Sequence, residues 1–192
     1  MAITINGSGT IGGVSVGGLP NGIVDTDMLA SAAVEQAKIA SGVVGNGPAF
    51  HVRASSTQAV SQSTWTKVTF DTEIFDTDNC YSSSTFTPTV AGYYYIAANL
   101  RFGFNAPWTG LGFSIRKNGS EVMPPIYLEQ LNTANSGTSL HLTGGCTAYL
   151  NGSSDYLDIY ANLTSGGGVV RELNYASTTA CCHCYGFMIR AA

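Results

Sequence analysis

The sequence predicts an all-β protein built as a sandwich or jelly roll, and two observations support this prediction. From residue 49 onward, apolar and polar residues alternate with a period of two in several segments, as in strands that bury one face. Turns rich in Gly, Asn and Ser separate these segments, and no helical periodicity lies between them. The full prediction is a C-terminal jelly-roll β-sandwich preceded by a Gly-rich extended segment and one short helix.

Composition divides the chain into three predicted parts. Residues 1–22 contain seven glycines with isolated Ile and Val residues between them, and they are predicted to form an extended adaptor. Residues 23–47 are predicted to form a stalk made of a short helix and a linker, because Asp25 offers an N-cap and Gly42 a C-terminal stop. Residues 48–192 are the predicted β domain.

The adaptor contains two patterns that are typical of enzymes, a G-x-G-x-x-G beginning at Gly7 and a G-x-S-x-G around Ser15. A dinucleotide site needs a helix directly after its glycines, and a nucleophile elbow needs a strand, a sharp turn and a helix. Neither context is predicted here, because the chain continues through further glycines to Pro20. The adaptor is instead predicted to attach to a partner protein through Ile3, Ile5, Ile11, Val14 and Val16.

Three segments of the β domain alternate clearly enough to predict their buried faces. These faces are Tyr94, Ile96, Ala98, Leu100, Phe102 and Phe104 in the first segment, Leu140, Leu142, Cys146, Ala148 and Leu150 in the second, and Leu157, Ile159, Ala161 and Leu163 in the third. Shorter strands are predicted at Phe50–Ala54, Trp65–Phe70, Leu111–Lys117 and Cys182–Arg190. Tyr93 and Tyr95 lie on the other face of the first segment from Tyr94. Large tyrosines on an outward face suit a subunit interface better than open water.

The charge of the chain limits the partners that we expect. Only 10% of the 192 residues are charged, and the formal net charge is −4. No basic stripe is present to match a phosphate backbone, so nucleic acid is not an expected partner. No run reaches the ~20 consecutive apolar residues that a spanning helix needs, so membrane insertion is not expected either.

The β domain also carries a series of motifs in a recognisable order. A pattern F-x-P-x-x-x-G-x-Y-x-I occupies residues 86–96, and the chain closes on C-Y-G-F-M-I at residues 184–189. Together with A-F-H-V, V-T-F-D and S-L-H-L-T-G-G, this order resembles the globular head domain of complement component C-one-q, a relative of the tumour-necrosis-factor jelly roll. The sequence departs from that family at Ser154-Asp155, where Gly-Asp is usual, and at Cys184, where an aromatic residue is usual.

This resemblance implies an assembly as well as a fold. Members of the family form tight homotrimers through the inner sheet of the jelly roll. The resemblance therefore implies a trimer interface that includes Tyr93 and Tyr95 on one strand and Cys184 and Gly186, near the three-fold axis, on the last strand.

A second resemblance concerns residues 18–44, G-L-P-N-G-I-V-D-T-D-M-L-A-S-A-A-V-E-Q-A-K-I-A-S-G-V-V. This segment is similar to one near the start of tail-fibre proteins of bacteriophages, especially those that infect cyanobacteria. The two resemblances together imply a virion tail-fibre or tail-tip protein that is made in the host cytoplasm and attached to other virion proteins by its N-terminus. A purely structural virion component, such as a plug, collar or capsid appendage, is the alternative.

The loops of the β domain are the predicted contact with the host surface, either a glycan or a protein. Three loop segments combine aromatic residues with Ser, Thr, Asn and Gly, which is the composition of adaptable binding surfaces. The predicted receptor-binding residues are Trp108, Tyr127 and Tyr175.

Metal and catalytic sites are not predicted, and no cofactor is expected. The run C-C-H-C at residues 181–184 cannot chelate within a strand, because neighbouring side chains point to opposite faces. Two alternatives remain open: a three-fold ring of Cys184 or His183 around an axial ion, and a calcium site at Asp71, Asp76 and Asp78. We expect no enzyme activity, with a polysaccharide depolymerase as a minor alternative, because no carboxylate pair lies in a recognisable catalytic motif.

Overall fold

A computed structural model describes residues 47–104, 108–129, 139–165, 171–173 and 182–192 of the 192-residue chain. Within these residues the chain forms fourteen β-strands. They are β1 (Ala49–Arg53), β2 (Gln58–Ala59), β3 (Thr66–Lys67), β4 (Thr72–Asp76), β5 (Tyr81–Ser82), β6 (Thr85–Phe86), β7 (Ala91–Phe104), β8 (Trp108–Lys117), β9 (Ser120–Glu121), β10 (Ile126–Glu129), β11 (Ser139–Asn151), β12 (Leu157–Ser165), β13 (Arg171–Leu173) and β14 (His183–Ala191). The predicted adaptor and stalk, including the helix and the attachment residues Ile3, Ile5, Ile11, Val14 and Val16, lie before the first described residue.

The first sheet has seven strands arranged around β7. One edge of β7 pairs with β11 from Ala91 opposite Asn151 to Gly103 opposite Ser139. The other edge pairs with β14 and, further along, with β13. Beyond β14 lie β1 and then β4, while β2 pairs with β13. All of these pairings are antiparallel.

The second sheet also has seven strands and is arranged around β8 and β12, which pair antiparallel. The far edge of β8 pairs with β9 and β10, and the far edge of β12 pairs with β3 and β6. Strand β5 forms a small hairpin with β6. Both sheets are antiparallel, as the period-two alternation predicts.

The two sheets share one hydrophobic core. Phe50 of the first sheet stacks on Phe86 of the second with ring centroids 4.5 Å apart, and Phe86 meets Tyr94 edge to face at 5.4 Å. The core contains the predicted face of β12 and the predicted face of β7 from Tyr94 to Phe102, so these predictions are confirmed, while the side chain of Phe104 lies outside the described residues. On β11, Leu142, Ala148 and Leu150 are buried, while Leu140 and Cys146 are partly buried against the core. A jelly roll of two packed sheets is therefore the fold.

Several strand boundaries differ from the predicted ones. The strand β8 begins at Trp108 and not at Leu111. The strand predicted at Trp65–Phe70 is limited to Thr66–Lys67, because the backbone N–H of Phe70 donates to the side-chain oxygen of Ser84 instead of joining a ladder. Residues 72–76, where no strand was predicted, form the edge strand β4. An edge strand tolerates charged side chains, so the acidic composition concealed it.

The turn between β11 and β12 explains how Ser154-Asp155 serves in place of Gly-Asp. The side-chain oxygen of Asn151 accepts hydrogen bonds from the backbone N–H groups of Ser153, Ser154 and Asp155. The Asp155 carboxylate accepts from the Asn151 N–H at 3.0 Å and from the Asn118 side chain at 2.7 Å. Asp155 thus joins two turns at one end of the sandwich.

No helix in the described residues is long and apolar enough to cross a membrane.

Candidate functional site

The outer face of the first sheet carries a set of exposed aromatic rings. Successive residues of a strand point to opposite sides, so burial of Tyr94 and Ile96 in the core turns Tyr93 and Tyr95 outward. The same alternation turns Tyr185 and Phe187 outward on β14. We call this surface the aromatic face, and it consists of Phe75, Tyr93, Tyr95, Tyr149, Tyr185 and Phe187 together with His51 and His183. Five of its rings are between 37% and 51% exposed.

The rings of the aromatic face pack against each other across neighbouring strands. Tyr93 of β7 lies opposite Tyr149 of β11, with ring centroids 5.5 Å apart. Tyr95 of β7 lies opposite Phe187 of β14, with centroids 5.7 Å apart. Cross-strand aromatic pairs of this kind stabilise a sheet, and they also fix the rings in a preorganised surface.

Small residues follow the aromatic pairs along the sheet. Ala97 and Gly145 are directly opposite each other on β7 and β11. A Cβ at Gly145 would lie 2.6 Å from the backbone oxygen of Ile96 and 2.7 Å from the Tyr95 hydroxyl oxygen. A glycine is therefore required here, because the backbone of β7 and the side chain of Tyr95 both approach this point closely.

Two histidines meet on this face. His51 of β1 and His183 of β14 place Nε2 and Nδ1 3.0 Å apart, within hydrogen-bond distance. The His51 ring also meets Phe75 and Tyr185 edge to face, each with centroids 6.0 Å apart. Burial, and secondly the charge of the neighbouring His183, lower the pKa of His51 below its ordinary value of 6.5. Local patterns in the sequence do not indicate this pair, because 132 residues separate its members and only the register of β1 with β14 brings them together.

The structure corrects the predicted trimer interface on the last strand. Cys184 is 2% exposed and belongs to the core, where burial raises the pKa of its thiol. Gly186 is also buried, and a Cβ there would lie 2.8 Å from a ring carbon of Phe50. The prediction placed the wrong face of β14 outward, so Cys184 and Gly186 do not belong to an exposed interface. It follows that Cys184 does not face an axial ion.

The structure describes two of the three predicted receptor-binding residues, and one of these two is exposed. Trp108 begins β8 and is 2% exposed in the core, so its assignment to a loop surface was wrong. Tyr127 is 39% exposed, and its ring lies against Gly110 and Gly112 on the outer side of the second sheet. Tyr175 lies outside the described residues.

The three aspartates of the calcium hypothesis have separate roles. Asp71 accepts hydrogen bonds from the backbone and side chain of Ser55, at 2.7 and 2.5 Å. Asp76 accepts from the backbone N–H of Tyr81, and Asp78 accepts from the Thr77 hydroxyl. In the part of the chain that the structure describes, no three His, Cys, Asp or Glu residues are grouped as a metal site would require. The three aspartates therefore do not converge on one ion.

Comparison with known proteins identifies the fold. No family model and no curated protein matches the sequence. Among solved structures, Eiger TNF from S. frugiperda is similar with a TM-score of 0.52 and 10% sequence identity, over 77% of this chain and 94% of that one. Murine APRIL is similar with a TM-score of 0.51 and 10% identity, over 75% of this chain and 100% of that one. The likeness confirms the predicted all-β jelly roll of the tumour-necrosis-factor type.

Proposed function

We propose that the chain is a non-enzymatic homotrimeric knob of a bacteriophage tail fibre or tail tip, in which the copies associate through the aromatic face. The observation that carries the trimer is the exposure of five preorganised aromatic rings on one sheet. Soluble monomers rarely leave a contiguous apolar surface of this kind open to water, and such surfaces mark association sites. The number of copies follows from the resemblance to a family of trimers.

The virion part of the proposal rests on the sequence. The likeness of residues 18–44 to tail-fibre segments supports attachment of the N-terminal adaptor to another virion protein. In this arrangement the β domain is the outer end and meets a glycan or protein of the host surface. Tyr127 is the exposed aromatic residue that we assign to this contact, because its ring lies flat on two glycines of the second sheet.

A matched pair of variants tests the assembly. Tyr149 and Tyr127 are the same residue type with similar exposure, 42% and 39%, on different sheets. Tyr149→Ser removes one half-exposed ring per copy, which weakens a trimer by about 3 kcal/mol in total at about 25 cal/mol per Å². We expect sedimentation to show a trimer for the wild type and for Tyr127→Ser, and dissociation for Tyr149→Ser. A wild-type monomer at micromolar concentration would refute the proposed trimer.

A second experiment tests the role in host attachment. Soluble wild-type protein should compete with intact virions for adsorption to host cells, and Tyr127→Ser should compete less well while keeping the wild-type mass. Antibodies to the β domain should label the outer end of a fibre on the particle. Labelling within the capsid or collar would contradict a fibre tip and favour the structural alternative.

A further inference from the structure

We propose that the aromatic face is an acid-sensitive interface, in which uptake of a second proton by the His51–His183 pair drives the copies apart. This inference rests on the proposed association through that face. It adds a regulatory property that follows from the geometry of the two imidazole rings.

The geometry of the pair is that of a hydrogen bond between the two imidazole rings. Their ring nitrogens are 3.0 Å apart, and their centroids are 5.2 Å apart, close to the largest separation that such a nitrogen contact allows. The two nitrogens therefore point at each other. Two ligands of one metal ion would instead both point at the ion. A hydrogen bond of this kind needs one N–H donor and one bare nitrogen. When the neutral pair takes up one proton, one of the two facing nitrogens is still bare and can accept the hydrogen bond. When it takes up a second proton, both facing nitrogens carry N–H groups, and the hydrogen bond breaks.

The surroundings of the pair disfavour that second proton. Arg53 of β1 lies directly opposite His183, and directly opposite residues share a face of the sheet. Arg101 lies two residues beyond Asn99, the partner of His183 on β7. Both of these charged neighbours are cations. Further titratable groups on this face include Tyr185, whose ring borders the pair with that of Phe75, and His141, which pairs with Arg101 and hydrogen-bonds to Asn99.

The two acidic residues of β4 have different surroundings. Asp76 pairs with the core residue Phe50, and its carboxylate accepts from the backbone N–H of Tyr81 in the second sheet. Glu73 pairs with Val52 next to an irregularity in the strand register, and it is exposed to solvent. A doubly protonated pair would therefore add charge to a surface with two arginines, aromatic rings and one solvent-exposed carboxylate.

Association makes this charge more costly, and the sign of the pH dependence follows. Burial already lowers the pKa of His51, and a second copy covering the face removes more water from the pair. The dissociated copy therefore binds protons more readily than the assembled one. Association is strongest above the pKa of the dissociated pair and is lost as the pH falls through it. With one proton for each of three copies, the association constant falls by up to about a thousandfold per pH unit.

Sedimentation of the full chain at about pH 7.5 and about pH 5 tests this inference, since histidine titrates between these values. We expect the wild type to change from trimer to monomer with its circular dichroism intact. The double variant His51→Gln, His183→Gln should keep one mass at both pH values. His141→Gln removes the histidine of β11, which lies on the same face but hydrogen-bonds to Asn99 and not to a second imidazole, and this variant should keep the wild-type response to pH.

The outcomes separate this inference from the proposed function. A trimer that is unchanged at about pH 5 overturns the acid switch and leaves the trimer standing. Dissociation of the double variant at the acidic pH also overturns the switch. A monomer at both pH values refutes the proposed association itself. Should the double variant fail to fold, NMR titration of the wild-type histidines decides, because coupled low-pH titration of His51 and His183 is required.

Discussion

The two outer faces of the sandwich use aromatic residues in different ways. On the second sheet, the Arg116 guanidinium lies over the Tyr160 ring at 4.3 Å and over the Trp65 ring at 5.3 Å. Arg116 also pairs with Glu121 at 3.7 Å, and Lys67 pairs with Asp158 at 3.6 Å. We call this surface the charged face. The rings of Trp65 and Tyr160 are covered by a cation of the same chain, and that cation is paired with a carboxylate.

The aromatic face has less cover among the described residues. Lys117 lies over the Tyr149 ring at 5.6 Å, at the border of the face. The other rings pack against each other across the strands, and Tyr93 and Phe187 are about half exposed. The difference teaches that exposed aromatic residues alone do not identify an interface. What matters is whether the chain supplies its own cover, as Arg116 does for Tyr160, or leaves the rings for another molecule.

A charge placed on each face gives the largest expected contrast. Phe187→Glu puts a carboxylate at a position that the proposed trimer buries, and an unpaired buried charge costs about 3 kcal/mol or more. We expect the dissociation constant to rise at least about a hundredfold, measured by analytical ultracentrifugation. Ser120→Glu on β9 of the second sheet is the control and should leave the mass unchanged. Equal effects of the two variants would show that the faces do not differ in this way.

Removing the cation of the charged face should have a smaller effect. Arg116→Met keeps an apolar stem over Tyr160 but loses the cation–π contacts and the pair with Glu121. We expect the free energy of unfolding in urea to fall by about 1 kcal/mol, with the trimer mass unchanged. Arg190→Met, an exposed arginine on β14, is the comparison and should change stability less. An Arg116→Met protein as stable as the wild type would show that the guanidinium does not stabilise this face.

Asp155 and Asp158 should change the stability of the fold in opposite directions as the pH falls. This is the smallest of the expected effects. Hydrogen bonds from Lys117 and Asn118 hold the pKa of Asp155 below 3.8, so its contribution to stability is present above that value and lost as the pH falls. Burial raises the pKa of Asp158, although Lys67 opposes the shift, so stability is lost as the pH rises through the raised value.

Melting temperatures of Asp155→Asn and Asp158→Asn test these signs. At neutral pH, Asp155→Asn should melt at a lower temperature than the wild type, and this difference should narrow as the pH falls below 3.8. Asp158→Asn should lower the melting temperature less than Asp155→Asn does. As the pH rises, the melting temperature of Asp158→Asn should increase relative to that of the wild type. Parallel pH profiles for both variants would contradict the different environments of the two carboxylates.

Much of the fold follows from alternation in the sequence, but the pairing of distant strands does not. The buried faces of β7 and β12 could be predicted because each contains an unbroken apolar series. The outward face of β14 was assigned wrongly because Cys184 and Phe187 are both residue types that are often buried. Which of the two is buried depends on how β14 packs in the core, and the sequence of the strand alone does not show this. The His51–His183 contact depends on register across most of the domain, which local pattern cannot supply.

The candidate site shows the same limit. Tyr93 and Tyr95 were singled out from their own strand, whereas their partners Tyr149 and Phe187 required the pairing of three strands. Trp108 was placed in a loop because an aromatic residue among Gly, Asn and Thr has the same local context at a strand start as in a turn. The roles of the adaptor residues and of Tyr175 stay predictions.

Because Cys184 lies in the core, its reaction with alkylating reagents can be used to measure opening of the sandwich. Only the thiolate reacts with alkylating reagents, and burial raises the thiol pKa of Cys80, Cys146 and Cys184. In the closed sandwich these sulfurs are therefore poor nucleophiles, and they react when the sheets separate. The rate of alkylation at Cys184 measures how often the two layers of the jelly roll part.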